Sequence, residues 1–211
     1  MPGDWIAGEG QLLLDIQEYI RQGWLTPIMV FITHLAKAGI FWILVTLFLL
    51  ARKDTRRIGI VVGFAMVIEV IVCNLILKNI VARPRPYEMI EQLICIVPHQ
   101  WDYSFPSGHT GFSFAVSSTL PWMKVKKRYA IPLIVVAVLI GLSRLYVGVH
   151  WPTDVLAGMV VGCIAGAAAY FLYTRCLEKV LPKKMMGFVM DFSLADPFGK
   201  KAGKDSDRKA S

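Results

Sequence analysis

The sequence predicts an all-α fold: a polytopic membrane helical bundle of about five transmembrane helices, plus an N-terminal interfacial amphipathic helix. Three observations carry that expectation. Of the 211 residues, 55% are hydrophobic and the mean hydropathy is +0.54, too apolar for a soluble domain of this size. Several apolar runs approach the ~20 residues that cross a bilayer as a helix. Those runs are continuous rather than alternating, which argues against a β-barrel.

Taken in order, residues 11–22 form the amphipathic helix. Leu12, Leu13, Ile16, Tyr19 and Ile20 share one face, and Asp15, Glu18 and Arg21 take the other. This stretch is too polar to span and is expected to lie on the membrane surface. Residues 1–10 have no cationic start, so they do not read as a secretory signal. The first span is 27–50, with His34 and Lys37 in its first half, and a basic loop, 52–57, follows. The second span is 58–81, with Glu69 and Asn74 inside it and Lys78 near its end. Residues 82–106 make a long polar connection rich in proline, with a short helix expected at 87–95. The third span, 107–122, opens at Ser107, a suitable N-cap just after Pro106 breaks the chain. The fourth is 129–147 and carries Arg144 near its end. The turn 148–152 delivers Pro152 to the start of the fifth span, 153–176. The division expected is a membrane-embedded domain, 1–181, and a polar, basic, partly disordered tail, 182–211.

Charge sets the orientation. Of the 23 Lys and Arg, four lie in 52–57, four in 124–128 and nine from Arg175 onward. In a five-span chain these regions share one side, which the positive-inside rule makes cytoplasmic. The expectation is a multi-pass cell-membrane protein with a cytoplasmic C-terminus. The 82–106 connection and the His150 turn then face outward. The +8 net charge is topology signal and makes no case for nucleic acid. Cys73, Cys95, Cys163 and Cys176 show neither metal spacing nor a disulfide framework. Nothing in the sequence sets an oligomeric state.

Six cations remain: Arg21, Lys37, Lys78, Arg83, Arg85 and Arg144. Lys78, Arg83, Arg85 and Arg144 gather at the outer face, against the charge rule. One alone reads as a headgroup contact; four with two histidines read as a site. The organising stretch is Tyr103-Ser104-Phe105-Pro106-Ser107-Gly108-His109-Thr110. A helix start built of Ser and Gly offers unpaired backbone N–H groups to an anion, and a histidine there can move a proton.

The motifs run Lys78-x6-Arg85-Pro86, then Pro106-Ser107-Gly108-His109, then Ser143-Arg144-x5-His150-x3-Asp154. This resembles the three-part signature of the type 2 phosphatidic acid phosphatase (PAP2) superfamily, complete and in family order over about residues 58–175. The resemblance implies a lipid phosphatase that needs no metal or other cofactor and works through a phosphohistidine. It implies His150 as nucleophile, His109 as general acid and base, and Asp154 as the partner of His150. Lys78, Arg85, Ser107, Gly108 and Arg144 are then the phosphate-binding residues. The residue types suit that chemistry. Phosphoryl transfer needs a nucleophile, a proton donor for the leaving oxygen, and positive charge around the equatorial oxygens. Asp154, four residues after His150, can hold a proton on one ring nitrogen and leave the other to attack. Its position in the first turn of a helix also suits the helix dipole on its own.

Small members of the superfamily with an outward site are similar to bacterial undecaprenyl-diphosphate phosphatases. The implied partners are membrane lipids and a lipid phosphate or diphosphate substrate, undecaprenyl diphosphate first. Phosphatidylglycerophosphate or phosphatidic acid is the alternative substrate. A vanadium haloperoxidase shares the signature but is large and soluble. From another class, an ion-coupled transporter would use Glu69, Lys37 and Arg144, yet the polar residues stop near the outer third apart from Glu69 and Asn74. A metal site of His109, His150 and Asp154 is disfavoured by the cations around it. Arg83 lies outside the family spacing and reads equally as a second phosphate contact or a headgroup contact. His34 and Lys37 read as a packed or snorkelling pair, and Glu69 as hydrogen-bonded to Ser113, Ser117 or Ser118. Trp101, Tyr103, Tyr146 and Trp151 read as an aromatic belt.

Overall fold

A computed structural model describes residues 4–177, and all of its regular secondary structure is helical. The basic tail from residue 182 lies outside the described residues. Helix α1 (Asp4–Asp15) runs into a π-helical turn, Ile16–Ile20. Helices α2 (Leu25–Leu35) and α3 (Ile40–Ala51) are joined by a 3-10 turn, Lys37–Gly39. Helix α4 (Arg56–Glu69) continues through π-helical turns (Val70–Leu77) into α5 (Lys78–Val81). The short α6 (Pro86–Met89) follows. Then come α7 (Gly108–Trp122), α8 (Lys127–Tyr146) and α9 (Pro152–Leu172), the last extended by a π-helical turn, Tyr173–Leu177.

Three helical stretches among the described residues are long and apolar enough to cross a membrane: Arg56–Met89, Lys127–Tyr146 and Pro152–Cys176. The first expected span is not one straight helix. Leu25–Leu35 and Ile40–Ala51 meet at 51°, and together they make a fourth candidate. The break turns on Gly39, whose φ of +68° is a conformation glycine adopts without strain. A Cβ there would also stand 2.6 Å from the Phe112 ring, so α7 packs directly on the break. The expected third span is α7, whose 15 residues reach only about 22 Å, short of a ~30 Å hydrocarbon core. By length and composition the described residues therefore hold three such stretches, or four with the bent pair taken as one span, and α7 packs between the longer helices. The short helix expected at 87–95 is confined to Pro86–Met89, where proline takes the first helical position.

Helix α7 is the axis of the bundle. Its buried residues include Thr110, Gly111, Ser113, Ala115, Val116, Ser117, Thr119 and Leu120. Trp42, Val62, Val116, Ala137 and Ile140 join α3, α4, α7 and α8 in one apolar cluster. Val61, Ala65, Ala115, Ala165 and Ala169 join α4, α7 and α9 in another. Leu44, Leu47, Phe48, Leu75, Ile80, Leu156 and Ile164 are exposed, as expected of surfaces that face acyl chains. Helix α1 is docked on the bundle through Leu13, which is fully buried with Leu93 and Trp151. Leu12, Tyr19 and Ile20 stay exposed, so only part of the expected apolar face is covered by protein.

The α7–α9 contact depends on missing side chains. Gly158, Gly162 and Gly166 recur every fourth residue along α9. A Cβ on Gly158 would lie 2.5 Å from the Ser107 carbonyl oxygen, on Gly162 2.3 Å from that of Gly111, and on Gly166 2.6 Å from Ser118 Oγ. Small residues at this spacing let backbones approach within the membrane, where packing replaces the hydrophobic effect as the force between helices. Glu69 does not bond the expected serines. Ser113 Oγ accepts from Trp42 Nε1 (2.8 Å) and donates to the His109 carbonyl (2.7 Å), while Ser117 Oγ finds no partner among the described residues. The Glu69 carboxyl is instead buried against Gly111. Gly162→Val is expected to destabilise the protein by about 1–3 kcal/mol or more, because a branched side chain must push α7 away. Gly63→Ala, where a Cβ meets nothing within 4 Å, serves as the control. Thermal unfolding in detergent should separate the two, and equal melting would contradict the close approach.

Candidate active site

One end of the bundle collects the C-terminal end of the α4–α5 rod, the N-termini of α7 and α9, and the C-terminus of α8. Those four ends carry Lys78, Ser107–Gly108–His109, Asp154 and Arg144 respectively. Arg85 comes from the turn between α5 and α6, and His150 from the turn between α8 and α9. Lys78, Arg85, Ser107, Arg144, His150 and Asp154 are all buried. Burial of so many charges is costly unless each is balanced, so their partners matter.

His150 sits at the centre. Its Nδ1 lies 3.5 Å from Asp154 Oδ2 and 3.5 Å from Ser104 Oγ. Its Nε2 lies 3.5 Å from Arg85 Nη1. Asp154 is itself fixed: Oδ2 accepts from the Trp151 backbone N–H (2.9 Å) and from the Ser104 hydroxyl, and Oδ1 accepts from Arg83 Nη1 (2.7 Å). A proton on Nδ1 therefore faces a carboxylate, and Nε2 is left with a lone pair beside a guanidinium. Burial first, then Arg85, Arg144 and Lys78, hold the His150 imidazole well below its ordinary 6.5. A neutral ring with a free Nε2 is the form that can attack phosphorus.

Lys78 and Arg85 are joined by a residue the sequence reading did not single out, Asp102. Lys78 Nζ donates to Asp102 Oδ2, Arg85 Nη2 to Oδ1 (2.5 Å), and Arg85 Nε to the Asp102 carbonyl (2.8 Å). Arg85 Nη1 also donates to the Val149 carbonyl (2.8 Å), which ties it to the His150 turn. Burial alone would push the Asp102 carboxyl up. Lys78 and Arg85 outweigh it and bring it down to about 2. Asp102 is half exposed, so this clamp is reachable from outside.

Arg83 is engaged by protein partners. Nη1 donates to Asp154 Oδ1 and to Thr153 Oγ1, each at 2.7 Å, and Nη2 to Glu9 Oε2 at 2.5 Å. Its guanidinium stacks 4.8 Å from the Trp151 ring. Glu9 Oε1 accepts from the Thr153 backbone N–H (2.7 Å), so α1 reaches the first turn of α9. Trp151 also donates from Nε1 to the Pro84 carbonyl (3.0 Å), so it is structural rather than part of an aromatic belt.

Ser107 is placed as expected before α7, but its hydroxyl bonds Thr110 Oγ1 (3.0 Å) instead of capping the helix. Its backbone N–H donates to the Asp154 carbonyl (2.9 Å), which links the two histidine motifs directly. Gly108 is tight against Asn74: a Cβ there would lie 2.8 Å from Oδ1. Arg144 donates from Nη1 to Thr33 Oγ1 (2.5 Å), and its buried Nε bonds nothing among the described residues. His109 and Arg144 line a cavity of about 180 Å³ with Thr33, His34, Lys37 and Gln100. The much larger cavity, about 840 Å³, lies between α3 and α8 at the opposite, basic end and touches neither histidine. Among the described residues no group of three or more His, Cys, Asp or Glu could hold a metal ion.

The missed residues are Glu9, Thr33, Asp102 and Ser104. Ser104 stood within the organising stretch, and Asp102 is the nearest acid before it. Glu9 had no local signal, since its partner Arg83 is 74 residues away.

Comparison with known proteins gives consistent relatives. The PAP2 superfamily model matches residues 58–178. An undecaprenyl-diphosphatase of Sulfolobus acidocaldarius is 36% identical over 165 residues, covering 76% of each chain. The undecaprenyl-diphosphatase BcrC of Bacillus subtilis is 32% identical, over 75% of this chain and 78% of that one. Among solved structures, a transmembrane PAP2-type phosphatidylglycerolphosphate phosphatase of Bacillus subtilis superposes with a TM-score of 0.64 at 28% identity. It covers 84% of this chain and 88% of its own.

The environment of His150 makes a measurable claim. On acidification from pH 7 to about 6 its ring is expected to stay neutral, whereas an ordinary histidine takes up protons across that interval. Nitrogen shifts of ring-labelled protein, assigned by comparison with His150→Gln, read this directly. Protonation of His150 with a midpoint at or above its ordinary value would contradict the dry, cation-lined setting.

Proposed function

Because the chain belongs to the PAP2 superfamily, we propose that it is a membrane lipid phosphatase that cleaves its substrate through a phosphohistidine on His150. The observation that carries this reading is the arrangement of His150, with Nδ1 backed by Asp154 and Nε2 beside Arg85. Nε2 attacks phosphorus, the bond from phosphorus to the leaving oxygen breaks, and His109 gives that oxygen its proton. Water then attacks the phosphohistidine, His109 takes the water proton, and the phosphorus–nitrogen bond breaks to release inorganic phosphate. Lys78, Arg85 and Arg144, with the Ser107 hydroxyl and the first backbone N–H groups of α7, hold the equatorial oxygens. No step calls for a metal ion.

The relatives support a lipid substrate, and undecaprenyl diphosphate is the reading their names favour. The solved neighbour keeps phosphatidylglycerophosphate as the alternative. The site end is proposed to face outward and the basic end, with Arg52, Arg56 and Arg57, to face the cytoplasm.

The deciding experiment is phosphate release by purified protein from a panel of lipid phosphates with excess EDTA. Activity is expected to persist with chelator, and His150→Ala to lose it by a factor of about 10³ or more, because the covalent step is gone. Substantial turnover in His150→Ala would overturn the nucleophile. Glu9→Gln is expected to lower kcat by about 10- to 100-fold, since slackening Arg83 lets Asp154 and the His150 ring drift. Orientation is read with a membrane-impermeant maleimide. Cys95 is in the site-end connection and Cys176 is exposed at the other end. In intact cells Cys95 should label and Cys176 should not; the reverse would put the site in the cytoplasm.

A further inference from the structure

The cavity beside His109 extends beyond the residues that hold the reacting phosphate. His150, Lys78 and Arg85 do not line it. One wall is the end of α2 and the break after it, with Thr33, His34 and Lys37; the other is the connection at Val97, Pro98 and Gln100. His109 and Arg144 form its inner part. In the proposed reaction His109 serves the leaving oxygen, so the cavity lies on the side to which the leaving group departs.

Its lining is built for an anion. Lys37 and Arg144 are cations, His34 and His109 add ring nitrogens, and no carboxylate is among the lining residues. Lys37 is exposed and makes no ion pair among the described residues. His34 donates from Nδ1 to the Val30 carbonyl (2.7 Å), so Nε2 is the atom left to a ligand. Arg144 is 3% exposed, and its Nε has no partner among the described residues. A buried guanidinium with an open N–H is expensive unless something binds it. The chain also bends here to bring Lys37 in: the 51° break and Gly39 seat the turn on Phe112. Interrupted spans are where membrane proteins place charged ligands, because freed backbone and polar side chains meet in a sheltered spot.

We propose that this cavity is a second phosphate subsite, in which Lys37, with His34, holds the lipid-bound phosphate of a diphosphate substrate while His150 attacks the terminal one, with Arg144 on the boundary between the two. This rests on the phosphatase reading and narrows it. The leaving group then carries its own phosphate, and Lys37 offsets the negative charge that builds on it as the bridging oxygen departs. A monoester of a neutral alcohol presents nothing for Lys37 to bind. The subsite therefore sets a preference for diphosphates over monophosphates of the same lipid.

The test compares one prenyl chain as diphosphate and as monophosphate, with wild-type protein, Lys37→Met and Lys37→Arg. In Lys37→Met the ratio of kcat/KM for diphosphate over monophosphate should fall at least tenfold, and Lys37→Arg should restore most of it. Titration calorimetry gives a readout free of turnover: Lys37→Met should weaken a prenyl methylenediphosphonate far more than the matching prenyl phosphonate. An unchanged ratio, or an equal loss on both substrates and both phosphonates, would overturn the subsite and leave the phosphatase reading intact. Failure of wild-type protein to release phosphate from either substrate would instead overturn the reading on which the subsite rests, and the subsite with it.

Discussion

The close approach of α7 to α9 is the constraint from which the site follows. Three glycines on α9 bring its backbone against carbonyls of α7, and no side chain larger than hydrogen fits at Gly162. That contact allows the Ser107 N–H to reach the Asp154 carbonyl. The His109 helix start and the His150–Asp154 pair are thereby held in one register, although each belongs to a different motif. Helix α7, 15 residues long, lies at the centre of the bundle, packed by α4, α8 and α9. Its polar buried residues, such as Ser113 and Thr119, bond within the protein and not to lipid.

Charge balance divides the cations by task. Lys78 and Arg85 share Asp102, and Arg83 is held between Asp154 and Glu9. Among the described residues Arg144 bonds a threonine hydroxyl and keeps an open Nε. The first group is pre-organised by carboxylates, which offsets the cost of burying it and fixes forks that would otherwise lose entropy on binding. Arg144, with no ion pair among the described residues, presents its charge to the cavity. The site as a whole is positive at one face and neutral at its supports, a pattern that favours an anion without leaving every cation unpaired.

Much of this was legible in the sequence. Apolar runs marked the spans because lipid-facing residues such as Leu47, Leu75 and Ile164 keep whole segments hydrophobic. The three motifs marked His150, His109 and Asp154 because their spacing is local to a turn or a helix start. What escaped was non-local or conformational. The Glu9–Arg83 and Lys78–Asp102 pairs join residues far apart in the chain, and no spacing rule encodes them. The break in the first span is one 3-10 turn inside an apolar run, which a hydropathy window averages away. Its trace was Gly39 two residues after Lys37, a helix-weakening residue beside a charge. Glu69 misled for a related reason: candidate serines lay one helix away, but the residue of α7 that its carboxyl meets is Gly111.

The bridge from Glu9 through Arg83 to Asp154 has a consequence for how such chains diverge. Glu9 lies ahead of the segment that the family model recognises, 58–178, yet it completes the charge balance behind the proposed nucleophile. Position 9 and position 83 should then change together over evolutionary time. A lineage that loses the acid would be pressed to replace the arginine, and one that loses the arginine would be left with a surplus negative charge beside Asp154. The signature motifs would look identical in both lineages, while the leading segment recorded which solution each had taken.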